Sequence, residues 1–229
     1  TRGHDAVHTT TRAGVASRQG AAYEMIDQSR QDSAAWVAWA ISRADRSIVL
    51  GGHSLGAIKA IYSAACDPAL ALNGLVAVSP ARLSRSAFQY GPQSSEFLAT
   101  LADAEKSVDD GTGDKLIESP FPMPMLITCR TFVDKYGSEK YNLLEHVAAL
   151  QVPSLFVFGE RELATGGVAF AGLDKAVRHR CSADLVEVAV APQADHFYQG
   201  VRLELGQTIL AWLKKLPPAP VFPSTTPDN

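Results

Sequence analysis

The chain of 229 residues is poor in several things, and each shortage excludes something. Its three cysteines, Cys66, Cys129 and Cys181, are odd in number and far apart. They fit neither a disulfide framework nor a metal-binding set, and they read as reduced thiols of a cytoplasmic protein. No apolar run approaches the ~20 residues that cross a bilayer. No basic, apolar leader opens the chain, which starts at Thr1. Excess charge of one sign is also missing: 21 Lys and Arg stand against 24 Asp and Glu, for a net charge of −3. The basic residues are scattered, with no run longer than Lys214-Lys215, so no nucleic-acid partner is expected. There is no internal repeat. With 46% hydrophobic residues the chain can bury one sizeable core.

What is present is an alternation of short apolar runs and amphipathic stretches. Residues 1–30 are polar and weakly patterned. Trp36, Val37, Trp39, Ala40 and Ile41 are spaced as one apolar face, which predicts a helix over Asp32–Ala44 capped by Asp32 or Ser33. Arg46–Leu50 reads as a short buried strand and Leu55–Cys66 as a helix with Leu55, Ile58, Ile61, Tyr62 and Ala65 along one side. Leu75–Val78 reads as a strand. Residues 81–150 break this rhythm with Gly91-Pro92, an acidic loop at Asp109-Asp110-Gly111 and the proline-punctuated SPFPMPM; helical pieces are expected over 94–107 and 141–149. Strands return at Ser154–Phe158 and Leu185–Ala191, helices at Gly167–Arg178 and Val201–Leu216, and the tail from 218 to 229 is proline-rich and irregular. Strands alternating with helices predict an α/β fold with a mostly parallel sheet flanked by helices. Ligands bind such sheets beyond the carboxyl ends of the strands.

Three strand ends carry candidate chemistry. The first is Gly52-His53-Ser54-Leu55-Gly56, a G-x-S-x-G between strand and helix. A sharp turn there lifts the serine hydroxyl clear of the sheet and forces backbone segments together, so Gly52 and Gly56 are expected to be glycines for want of space. The following helix points its N-terminal N–H groups at a developing oxyanion, Leu55 N–H first. The second is LFVFGERE, where Glu162, with Glu160 as fallback, can orient a histidine. The third is APQADHFYQG, with His196 as general base. Of the other histidines, His4, His8, His146 and His179 lie far from these ends, and the His53 side chain is expected to diverge at the turn.

In chain order, Ser54, Glu162 and His196 resemble the catalytic set of the α/β-hydrolase family. Gly52–Gly56 looks like its nucleophile elbow, Gly159-Glu160-Arg161-Glu162 like its G-D-x-D acid turn, and Ala194-Asp195-His196-Phe197 like its histidine context. The family acid is commonly Asp; Glu is a variant one methylene longer. Arg2-Gly3-His4-Asp5 resembles the family's R-G-H-G turn after its fourth strand.

The resemblance implies a hydrolase core over 1–80 and 151–217, a mainly helical lid over 81–150 and an irregular tail over 218–229. It also implies that the family's first strands, and the H-G loop giving a second oxyanion donor, belong before Arg2. These residues therefore read as a fragment whose Arg46–Leu50 strand is a bare edge. A second chain covering that edge is the alternative.

The function so implied is a serine hydrolase cleaving an ester or related acyl bond of a small-molecule substrate, without metal or organic cofactor. Acyl transfer or peptide cleavage on the same three residues is the alternative within enzymes. A non-catalytic binder, or an inactive fragment, is the alternative outside them. In the presumptive lid, Phe88, Tyr90, Phe97, Phe121, Met123, Met125 and Phe132 can line an acyl pocket, with packing the first reading.

Overall fold

The computed structural model describes residues 2–43, 47–182 and 184–217. The proline-rich tail, the end of the expected first helix at Ala44 and the start of the expected first strand at Arg46 lie outside them. In chain order the elements are β1 (His8–Arg12), β2 (Val15–Gln19), α1 (Ser29–Ser42), β3 (Val49–His53), α2 (Leu55–Cys66), β4 (Gly74–Val78), α3 (Arg85–Gln89) and α4 (Ser94–Asp109). They continue with β5 (Leu116–Ser119), β6 (Met125–Thr128), α5 (Cys129–Tyr136), β7 (Ser154–Gly159), α6 (Glu160–Thr165), α7 (Leu173–Arg180), β8 (Val186–Ala191) and α8 (Arg202–Leu213).

The main sheet has the order β3-β4-β7-β8, with every pair parallel. Its residues alternate between two cores. Leu75, Ala77, Phe156 and Phe158 face the larger one, with α2, α4, α5 and α7. Val76, Val78, Leu155 and Val157 face the smaller one, against Leu205, Ile209, Trp212 and Leu213 of α8. Covered on both faces, β4 and β7 are fully buried and, Ser154 apart, apolar, as central parallel strands are. The fold is thus α/β, with helices on both faces of a parallel sheet. None of the described helices is long and apolar enough to cross a membrane.

Several expectations are corrected. The first main-sheet strand is Val49–His53, three residues later than expected, and it is half-exposed rather than buried. It is an edge strand: β4 pairs with one side, and no described residue pairs with the other. A groove of about 750 Å³ runs along that side, lined by Val49, Gly51, His53, Leu205 and Ile209 among others. Helix α1 starts at Ser29, not Asp32, and Gln28 at its N-cap makes no side-chain capping bond. Asp32 instead holds Arg2, whose Nη2 lies 2.6 Å from its Oδ1. The buried line of α1 is Ser29, Ser33 and Val37, spaced four apart, while Trp36, Trp39 and Ile41 face outward.

Residues 8–19, within the stretch read as weakly patterned, form an antiparallel hairpin through Ala13-Gly14, both at positive φ (49° and 79°). Two consecutive positive-φ residues are the geometry of a two-residue type I′ turn. The strand from 15 to 19 is exposed along nearly its whole length, so no apolar alternation marks it in the sequence.

The break in rhythm at 81–150 holds α3, α4 and α5, the antiparallel pair β5–β6 and two 3₁₀ turns over 143–149, where a helical piece was expected. Phe88, Phe97, Phe121 and Phe132 are buried here, and the first three meet ring to ring at centroid distances of 4.8–5.7 Å. Tyr90 and Met123 are exposed. The approach to α1 is tied down by a buried charge cluster. Glu24 accepts Lys59 Nζ of α2 in a short bond and Lys135 Nζ of α5 at 3.4 Å. Burial pushes the Lys135 ammonium below the ordinary lysine value, partly offset by the Glu24 charge.

Candidate active site

The site is assembled at the carboxyl ends of β3, β4, β7 and β8. Ser54 extends the β3–β4 pairing by one residue, its N–H donating to Val78 C=O at 2.9 Å. The backbone then turns at φ 55°, ψ −123°, and α2 begins at the next residue. A serine at positive φ is strained, and such strain gathers where function needs a side chain aimed against backbone preference. The turn brings β3 and α2 together so closely that a β-carbon at Gly52 would sit 2.2 Å from the Gly56 carbonyl. Gly52 is therefore a glycine for want of space. Gly56, expected to be so for the same reason, is not: a β-carbon there meets no described atom within 4 Å. The crowding is one-sided because the Gly56 backbone, not its missing side chain, fills the gap.

Glu162 stands in the first turn of α6, where sequence reading expected a loop. Its carboxylate reaches back to the Gly159 N–H (Oε2, 3.0 Å), as a third-position glutamate does at a helix start. That short helix buries the Glu162 side chain to 1% exposure beneath His196. Glu160, two residues earlier, is exposed and accepts the Gln193 N–H at 2.8 Å. It holds the loop that leads to His196 but does not touch the imidazole.

His196 lies in the loop after β8. The Asp195 carboxylate accepts N–H bonds from Gln199 (3.1 Å) and Phe197 (2.9 Å), which hold its pKa below the ordinary aspartate value and fix the loop. The loop also packs onto the end of β7, where a β-carbon at Gly159 would lie 2.6 Å from Ala194 O. His196 Nδ1 donates to Glu162 Oε1 at 2.9 Å, and its Nε2 accepts from Ser54 Oγ at 3.0 Å. A carboxylate only accepts, so the proton belongs on Nδ1 and the lone pair on Nε2 faces the serine. Phe170 and Phe197 flank the ring at centroid distances of 5.3 and 5.1 Å.

The structure thus brings Ser54, His196 and Glu162 into one hydrogen-bonded line and leaves Glu160 out of it. The Leu55 N–H, first of α2, has no protein acceptor among the described residues and sits beside the serine. His53 does not diverge as expected. Its ring lies 4.8 Å from the His196 ring, and its Nε2–H donates to the His196 carbonyl at 2.7 Å. At the end of an edge strand, that side chain meets no described strand on its open side to displace it.

Two more residues here escape a sequence reading. Ser79, just past β4, donates to Glu162 Oε2 at 2.5 Å, and Tyr198 stands 3.0 Å from Ser79 Oγ. Burial pushes the Tyr198 phenol well above its ordinary pKa. Neither residue has a motif around it; the only signal for Ser79 is its place at a strand end. Among the described residues, no group of three or more His, Cys, Asp and Glu side chains is placed to hold a metal ion.

No family model and no curated protein matches this chain by sequence. Among solved structures it is similar to a monoacylglycerol lipase of Paleococcus ferrophilus (TM-score 0.62, 15% identity, 86% of this chain and 78% of that one). It is likewise similar to the α/β hydrolase GrgF of Penicillium sp. sh18 (TM-score 0.64, 15% identity, 87% and 76%). A third is the esterase domain of a Rhodothermus marinus protein (TM-score 0.51, 14% identity, 82% and 69%). At these identities the likeness speaks for the fold, which is that of the α/β hydrolases.

Proposed function

We propose that the protein is a serine hydrolase that cleaves an ester or related acyl bond, with Ser54 as nucleophile, His196 as general base and acid, and Glu162 as the carboxylate that orients it. The observation that carries this reading is the unbroken line from Ser54 Oγ through His196 to the buried Glu162, with the serine held at a strained turn before a helix. In the reaction, His196 Nε2 takes the Ser54 proton as Oγ attacks the acyl carbon. The oxyanion of the tetrahedral intermediate forms beside the Leu55 N–H, at the positive end of α2. The imidazolium, stabilised by Glu162, then protonates the leaving group. A water activated by the same imidazole hydrolyses the acyl-enzyme and returns the proton to Ser54. The first transfer, from Ser54 Oγ to His196 Nε2, spans 3.0 Å.

A lipase and an esterase domain among the similar folds are in keeping with ester chemistry. Residues 81–150 are proposed as a cap on the hydrolase core of 1–80 and 151–217, anchored in its larger apolar layer through α4 and α5.

The test is covalent. A fluorophosphonate probe is expected to label the protein once per chain, and a short p-nitrophenyl ester to be hydrolysed. Both activities are expected to vanish in Ser54→Ala. Equal labelling of Ser54→Ala and unsubstituted protein would overturn the assignment.

A further inference from the structure

Glu162 offers His196 one oxygen, Oε1; the other, Oε2, is held by two donors, the Gly159 N–H at 3.0 Å and the Ser79 hydroxyl at 2.5 Å. Ser79 is fully buried, and its backbone stands at φ 47°. A glycine would take that conformation freely, whereas a residue with a β-carbon is strained there. The backbone therefore gains nothing from the side chain, and what the side chain supplies is its hydroxyl. That hydroxyl is itself oriented. Its proton is committed to the carboxylate, which leaves Tyr198 O–H to donate, with Ser79 Oγ at 3.0 Å and Val157 C=O at 3.2 Å as acceptors. Val157 C=O also takes the Ser79 N–H at 2.7 Å, so serine, tyrosine and strand β7 close a ring of hydrogen bonds behind the carboxylate. Tyr198 too is at positive φ (54°) and is 2% exposed.

We propose that Ser79, backed by Tyr198, is a positioning residue of the hydrolytic site, turning the Glu162 carboxylate so that Oε1 faces His196 Nδ1. The inference rests on the serine-hydrolase reading and adds two residues to it. A carboxylate free to rotate about its last bond divides its time between orientations, only some of which align the imidazole; two donors on Oε2 remove that freedom. Ser79 touches neither substrate nor the reacting atoms, so its removal should slow the chemical step and leave substrate binding alone.

The experiment measures kcat and KM for a p-nitrophenyl ester, with Ser54→Ala as reference, in Ser79→Gly, Tyr198→Phe, Glu162→Ala and the double variant Ser79→Gly/Glu162→Ala. Ser79→Gly is expected to lower kcat about 10-fold with KM unchanged, since second-layer partners of a reacting group typically carry 10–100-fold. Tyr198→Phe should lower kcat by less. In the Glu162→Ala background, Ser79→Gly should cost nothing more, because the group it positions is gone. Ser79→Ala, which keeps the β-carbon and loses the hydroxyl, should match Ser79→Gly in kcat and serves in its place should the glycine variant not fold. Undiminished kcat in Ser79→Gly overturns the inference, and so does an equal loss with and without Glu162, which would mark a structural role only. Activity that survives Ser54→Ala instead removes the hydrolase reading beneath it, so the two failures are distinct.

Discussion

Strands β3 and β7 lie two places apart in one sheet, and each delivers a residue of the proposed line. They are built differently. All six residues of β7 are buried between two neighbouring strands and two apolar layers, whereas β3 has a single neighbour among the described residues, two glycines and half-exposed side chains. The acid therefore stands on the most constrained part of the molecule and the nucleophile on one of the least. What holds Ser54 is not β3 burial but three local devices. These are the pairing to Val78, the close approach of Gly52 to Gly56, and helix α2, whose residues Ala57–Ala64 are all buried. A site can thus be rigid at an edge strand if the helix after the turn is anchored in the core.

The largest effect is expected at the carboxyl end of β7. Glu162→Gln removes the partner that fixes the His196 tautomer and should lower kcat by about 10³–10⁴-fold. Glu160, two residues away, hydrogen-bonds Gln193, and Glu160→Gln should change kcat less than about 3-fold. Similar losses from both would break the contrast; steady-state ester hydrolysis decides.

Within the β3 turn, Gly52→Ala drives a methyl into backbone at 2.2 Å and should cost at least about 3 kcal/mol or prevent folding. Gly56→Ala meets no described atom and should be neutral or stabilising by up to about 1 kcal/mol, because alanine favours the helix. Urea unfolding of the two variants reads the difference, and equal destabilisation would refute the one-sided crowding.

In the strands themselves, Phe156→Ala in β7 should cost about 3–5 kcal/mol. Leu50→Ala in β3, only partly buried at the core's edge, should cost about 1 kcal/mol. A Leu50 effect as large as that of Phe156 would mean that β3 is far better covered than the described residues make it.

The smallest effect concerns the segment leading into β3. Burial raises the Asp32 pKa, but the hydrogen bonds and charge of Arg2 outweigh it and leave the value below the ordinary 3.8. A depressed carboxylate pKa gives stability that is present above the ordinary value and lost as pH falls through the folded one. Asp32→Asn should therefore cost about 1 kcal/mol at neutral pH, with the deficit shrinking as the pH drops below 3.8. Thermal melts against pH check the sign; a deficit that grows on acidification would contradict it.

Much of this was legible from local pattern. Helix Leu55–Cys66 appears with the ends its spacing and Asp67-Pro68 imply, and β4, β7 and β8 lie within a residue of the apolar runs that announce them. Where pattern failed, the physical reason can be named. The hairpin of residues 8–19 is polar and largely exposed, so burial left no alternation to read. Helix α1 turns Trp36, Trp39 and Ile41 outward and buries two serines, because contacts with α2, not hydropathy, choose its face; Ser33 meets Ser63 at 3.1 Å. Strand β3 was displaced because glycines carry no hydropathy signal, and its last three residues before Ser54 are Gly51, Gly52 and His53.

By itself, the sequence determined the order of the four main-sheet strands and which strand ends carry a serine, two glutamates and a histidine. Those follow from periodicity and turn chemistry, which act over a few residues. Only the tertiary structure decided that Glu162 rather than Glu160 faces His196, that His53 folds back onto its carbonyl, and that Ser79 and Tyr198 stand behind the carboxylate. Each of these contacts joins side chains on different strands or loops. Their distances are set by the parallel register of the sheet and by close backbone approaches such as Gly159 to Ala194, neither of which is written in any short stretch of chain.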